Sequence, residues 1–120
     1  MSSNIIRMVE EDVTRPNIGP DPAEGAVEGE PVESTHEYYS KDGNTSGVWT
    51  CTPGRLLEEE HLEDEFATVI SGKLEILDNA DGTAEMFTAG DSFFLPKGSS
   101  LTWVVHEPVR KFYMTAEWPT

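Results

Sequence analysis

The chain's 120 residues carry 23 acidic against 8 basic side chains, a formal net charge of −15, and such a field repels a nucleic-acid backbone or an anionic membrane surface. At 37% hydrophobic and 26% charged residues the composition is that of one soluble globular domain with one core, and no run approaches the ~20 apolar residues of a membrane span. A single cysteine, Cys51, rules out an intrachain disulfide framework and, with no apolar leader in MSSNIIRMVEEDV, points to the cytoplasm.

Residues 1–33 read as a lead-in to a domain over 34–120. Pro16, Pro20, Pro22 and Pro31 alternate with Gly19, Gly25 and Gly29 among acidic residues. That pattern argues against a regular ladder or helix and predicts an extended, partly ordered arm. Ile5, Ile6, Met8 and Val9 are the exception, an apolar group able to add an edge strand to this barrel or to a partner's.

Short strands divided by turns follow. HEYYS leads into KDGNTSG, where Asp42-Gly43 supplies the positive φ of a tight hairpin. GVWTCT closes at Pro53-Gly54, and RLLEEEH passes through LEDE into FATVISG. KLEILD alternates apolar and polar residues up to the turn Asn79-Ala80-Asp81-Gly82. AEMFTAG, DSFFLPKG, LTWVVHEP and RKFYMTAEW complete the set. About nine strands at a spacing near ten residues, with no helical period, predict an antiparallel sandwich or closed barrel.

Two segments carry a resemblance. His61-x3-Glu65-x6-Gly72 is similar to the second half of the first motif of the cupin superfamily, and Gly90-Asp91-x4-Pro96-x-Gly98 is similar to the second motif. GVWTCTPGR and VHEPVRKFY further resemble the small single-domain cupins related to (S)-ureidoglycine aminohydrolase. The resemblance implies an all-β, single cupin (RmlC-like jelly-roll) barrel that pairs as a homodimer, with the Ile5–Val9 segment exchanged between copies. The same residues also have a purely structural use. Gly72 sits where one strand is expected to turn into the next, Gly90-Asp91 marks a tight turn, and Pro96-x-Gly98 ends a ladder before LTWVV.

The resemblance implies a metal site, since a typical cupin holds a divalent metal on two His and one Glu of the first motif and one His of the second. The corresponding positions here are Glu59, His61, Glu65 and Leu101. Two residues apart on one strand, Glu59 and His61 would face the same side, and Glu65 would return to them after a short turn. One imidazole with two carboxylates suits manganese, iron or zinc. The ureidoglycine aminohydrolases share the Glu-x-His pair but have His and Gln where this chain has Glu65 and Leu101. A metal on Glu59, His61 and Glu65 would polarise a carbonyl or activate water, with Glu65 or Glu63 as base and a small, polar, nitrogen-containing substrate.

A second reading stands beside the first. Residues 58–65 form a charge run of the kind that makes a solvated turn, with His61 hydrogen-bonded to a neighbour. The barrel then binds a metabolite without metal or chemistry, enclosed by Trp49, Trp103, Tyr113 and Leu101. A purely structural subunit is a third. Trp103 and Val105 share parity with Leu101 and should face inward. Arg55, Arg110 and Lys111 are expected to pair with surface acids, although a cation inside the pocket would indicate a carboxylate ligand. Cys51 is expected as a buried structural thiol, His106 at a turn off the inward face, and His36 outside any motif.

Overall fold

Alternation with a period of two builds most of this molecule. In the computed structural model, which describes residues 4–117, a 3-10 turn (Glu10–Thr14) precedes nine strands: β1 (Ile18–Pro22), β2 (Ala26–Glu28), β3 (Val32–Lys41), β4 (Asn44–Cys51), β5 (Gly54–Glu58), β6 (Asp64–Asp78), β7 (Ala84–Phe87), β8 (Ser92–Leu95) and β9 (Leu101–Ala116). Among these residues no helix is long and apolar enough to cross a membrane.

β6 and β9 form the spine, antiparallel from Asp64↔Ala116 to Asp78↔Leu101. Beyond β9 lie β4, against its second half, and β5, against its first half. Beyond β6, β8 pairs with Glu65–Thr68 and β7 with Leu74–Leu77. The two long strands therefore belong to both layers of one antiparallel sheet curled on itself, the jelly-roll barrel that the sequence predicts. Val69, Cys51, Val109, Leu74, Trp103 and Val105 belong to one continuous core.

The bend corrects the expectation for Gly72. FATVISG and KLEILD are one strand, as are LTWVVHEP and RKFYMTA, and Gly72 sits in an irregularity between them rather than at a turn. Before it the buried positions of β6 are Glu65, Ala67 and Val69; after it they are Leu74 and Ile76. A bulge shifts side-chain parity by one residue, and the inward face is kept through the bend because the parity changes there. Gly72 takes φ +89°, and a Cβ on it would collide with the Pro108 carbonyl oxygen. The Asp42-Gly43 hairpin is as expected, both residues having positive φ (54° and 80°).

The first third is more regular than its composition suggests. β1 pairs with β3 and β2 with β5, short edge strands of the kind that tolerate proline. Ile5–Val9 makes no strand within this chain. Instead Tyr38 Oη accepts from the Val9 amide at 2.9 Å and donates to the Asp12 carboxylate at 2.6 Å, tying the 3-10 turn to β3. Trp118, the expected end of the last strand, lies outside the described residues. On the outer surface Phe94, Phe66 and Met114 are neighbours on β8, β6 and β9, and all three are exposed.

Candidate functional site

A cavity of about 820 Å³ opens between the layers, bounded by β2 with the turn before it, β3, β4, β5, β6, β9 and the segment joining β5 to β6. Trp49, Trp103 and Tyr113 line it. Leu101 does not line it; that side chain is buried in the core beside a second, smaller cavity of about 190 Å³.

The two sequence motifs meet through the backbone. The His61 amide donates to Ser99 O at 2.8 Å, and the Gly98 amide donates back to His61 O at 2.7 Å. The Lys97 amide donates to Asp64 Oδ1 at 2.8 Å. The Pro96-x-Gly98 turn thus holds the β5–β6 segment in place, and His61 is 4% exposed even though it lies outside any strand. Gly90-Asp91 makes the other turn, where Asp91 Oδ2 accepts from the Thr88 amide at 2.8 Å.

Two cations and two carboxylates alternate in the inner part of the cavity. His61 Nδ1 lies 2.8 Å from Glu58 Oε1, which also accepts from Trp103 Nε1 at 3.0 Å. His61 Nε2 is 3.1 Å from Glu65 Oε1 but out of line for a hydrogen bond, so this buried atom lacks an aligned acceptor. The other oxygen of Glu65 takes the Lys111 ammonium at 2.5 Å. Lys111 Nζ in turn sits 4.6 Å from the Trp49 ring centre and 4.5 Å from that of Trp103, close enough for cation–π attraction to both.

These contacts fix the charges. Burial alone would discharge His61, but the carboxylates of Glu58 and Glu65 outweigh it and raise its pKa to about 9. Burial would likewise protonate Glu65, yet Lys111 and His61 hold it well below the ordinary carboxylate range. Glu63, half-buried and near Glu65, is pushed upward chiefly by burial, with His61 opposing. At neutral pH His61 is therefore protonated and Glu65 ionised.

A metal fits this arrangement poorly. β5 ends at Glu58, so Glu59 and His61 share no strand; Glu59 stays exposed and Glu58 stands beside His61 in its place. His61 and Glu65 do face each other. The cation that Glu65 meets, however, is an ammonium, and among the described residues no three His, Cys, Asp or Glu side chains are grouped to hold a metal ion.

Sequence reasoning misses two members of the site. Lys111 reads as a surface residue, but in β9 it has the parity of Trp103, Val109 and Tyr113, a signal that places it inward. Glu58 is hidden behind Glu59 because the end of the strand cannot be located within a run of three glutamates. Arg55 and Arg110 do pair with acids, Glu28 at 3.6 Å and Glu10 at 3.4 Å. Cys51 is buried and its thiol is pushed up to about 12 by burial. His106 lies within β9 rather than at a turn, exposed and 2.9 Å from Glu75.

Comparison with known proteins bears on this site. A family profile described as the EutQ-like cupin domain matches residues 40–113, most of the barrel. The chain belongs to the EutQ-like cupins. Among solved structures, this cupin is similar to the EutQ protein of Clostridium difficile, with 24% identity and a TM-score of 0.64 over 72% of this chain and 69% of that one. A protein of unknown function from Pseudomonas syringae pv. tomato gives 24% identity and 0.71 over 84% of this chain and 43% of its own. One of unknown function from Rhizobium leguminosarum gives 18% and 0.69 over 98% and 100%. Similarity at this level speaks for the fold, not for an activity. Among curated proteins no match is found.

Proposed function

We propose that this cupin binds a small polar metabolite without a metal and without breaking a bond. The observation that carries this reading is the Lys111 ammonium, 2.5 Å from Glu65 and flanked by two indoles, a built-in cation against the carboxylate that would otherwise ligate one. The roomy, aromatic-walled cavity has the character of a small-molecule site. Glu65, held ionised by two positive neighbours, is a weak proton acceptor near neutral pH, which argues against a role as general base.

The test is elemental analysis of the untagged protein, before and after incubation with manganese, iron and zinc, beside a His61→Ala variant. The expected result is no stoichiometric metal in either protein. Near-stoichiometric metal that disappears in the variant would overturn the reading and favour metal-dependent chemistry of the ureidoglycine aminohydrolase kind. That second reading rests on the Glu59-x-His61 pair and requires Glu59 to turn from solvent toward the imidazole. In it Glu63, with its raised pKa, is the better base.

A homodimer belongs to the same proposal, and the barrel has a face suited to it. In a chain of net charge −15, the row Phe94, Phe66 and Met114 is an uncharged surface on which a second copy can approach. Sedimentation of wild type and a Phe66→Glu variant tests it: a dimer is expected for the first and a monomer for the second.

A further inference from the structure

Most polar groups on the inner wall of the cavity are already used within the protein. Lys111 meets Glu65 and two indoles, His61 Nδ1 and Trp103 Nε1 share Glu58, and Trp49 Nε1 donates to Glu33 at 3.3 Å. Lys111 therefore does not call for a carboxylate ligand, contrary to what a cation in the pocket first suggests. Two hydroxyls that line the cavity stand apart, Thr35 Oγ1 and Tyr113 Oη. Neither has a hydrogen-bond partner among the described residues, although Thr35 is only 9% exposed. The fully buried side-chain atoms without a partner are Arg55 Nε and His61 Nε2, so both hydroxyls keep open surface. A donor and acceptor left unpaired at so buried a position is completed by whatever enters the cavity.

The strand register brings these hydroxyls to one patch. β3, β4 and β9 lie side by side, with Thr35, Trp49 and Lys111 in one cross-strand row and Gly47 and Tyr113 in the next inward row. Tyr113 reaches beyond its own strand. Its ring lies over Gly47, where a Cβ would stand 2.7 Å from Oη and 2.5 Å from the His36 carbonyl oxygen of β3. The phenol therefore crosses β4 toward the strand that carries Thr35, and the partly exposed indole of Trp49 lies beside both. Charges of both signs flank that indole. Lys111 Nζ is 4.6 Å from its ring centre and the Glu33 carboxylate meets its N–H edge. A ligand cation seated here would face the ammonium, and an anion would face the carboxylate.

Resting on the metal-free reading, we infer that Thr35, Tyr113 and Trp49 form a subsite for an uncharged, polyhydroxylated ring of monosaccharide size. A hydroxyl both donates and accepts, so ring hydroxyls match Thr35 Oγ1 and Tyr113 Oη in either direction. Further ring hydroxyls donate to the carboxylates of Glu33 and Glu63, which line the same cavity. The C–H face of the ring packs on the Trp49 indole. Uncharged aromatic compounds would stack there but leave the two hydroxyls unpaired.

The indole N–H groups of Trp49 and Trp103 report on the cavity by NMR. The full chain is titrated with glucose, galactose, mannose and myo-inositol. Glucosamine and glucuronate serve as controls, since each adds one charge to the glucose ring. At least one of the four uncharged compounds is expected to move the Trp49 signal saturably, with both charged sugars at least about tenfold weaker. Tyr113→Phe and Thr35→Val, on different strands, each remove a hydroxyl with no partner among the described residues. Each should therefore keep the wild-type Tm while weakening that binding by about threefold or more. Movement by none of the uncharged compounds, tighter binding of a charged sugar, or undiminished binding in both variants would overturn the subsite. None of these outcomes touches metal content, which is measured separately. Stoichiometric metal at His61 would remove the underlying reading even if a sugar bound beside Trp49.

Discussion

Lys111 and Glu65 form a salt bridge in which both side chains are about 6% exposed, on adjoining strands of the barrel's spine. Neither charge is stable there alone, since the cost of removing an ion from water is recovered only through its partner. The indoles of Trp49 and Trp103 complete the ammonium's surroundings, and His61 completes the carboxylate's.

A double-mutant cycle separates the pair from its burial cost. Glu65→Leu alone, or Lys111→Met alone, should lower stability by about 3–5 kcal/mol, because each leaves an uncompensated buried charge. Lys111→Met with Glu65→Leu should recover most of that loss. Urea denaturation of the four proteins measures it. If the double variant were as unstable as the sum of the singles, the two groups would be acting independently and the pair would not be the organising contact of the site.

Stability should fall at both ends of the pH range for opposite reasons. His61 has a folded pKa near 9 against an ordinary value of 6.5, so its contribution is fully present below 6.5 and is lost as pH rises through 9. Glu65 has a lowered folded pKa against 4.5, so its contribution is present above 4.5 and is lost as pH falls below that value. Denaturation at pH 6 and pH 10 should differ by roughly 2 to 3 kcal/mol more in wild type than in His61→Gln. Equal differences in the two proteins would show that His61 is not held protonated.

Cys51 tests the interior directly. With its side chain fully buried and its thiol pushed up to about 12, it should not react with a disulfide reagent at pH 8 in the native state. In denaturant one thiol per chain should react at once. Rapid native labelling would mean that β4 opens locally.

The fold is legible because its signals are local and redundant. Alternation, the Asp42-Gly43 hairpin and the Pro96-x-Gly98 turn each act over a few residues, and all point to a barrel. The inward tryptophans follow from the same parity. What cannot be read depends on residues distant along the chain. Glu58, rather than Glu59, reaches His61 because β9 fixes where β5 ends, through the pair Glu58↔Leu101. Lys111 is inside because Glu65 waits on the next strand, and a basic residue beside Arg110 gives no hint of that partner. Gly72 reads as a turn since a bulge and a turn use the same residue.

Gly72 provides the sharpest test of the bend. Gly72→Ala must adopt a positive φ and also place a methyl group on the Pro108 carbonyl oxygen, a backbone atom of β9 at the irregularity between the pairs Ser71↔Arg110 and Lys73↔Glu107. Gly82 is the control, with φ +77° and nothing within 4 Å of where an added methyl would stand, so Gly82→Ala bears the φ strain alone. That strain is about 1–2 kcal/mol. Gly72→Ala should exceed it by at least about 1 kcal/mol and lower Tm correspondingly, because the ladder must shift to admit the methyl. Since the same bend carries the parity change that turns Glu65 inward on one side and Leu74 on the other, the variant should also disturb the Trp103 indole signal. Equal losses for the two alanine variants would mean that the close approach of Gly72 to Pro108 contributes nothing, and that the bend is set by the paired strands instead.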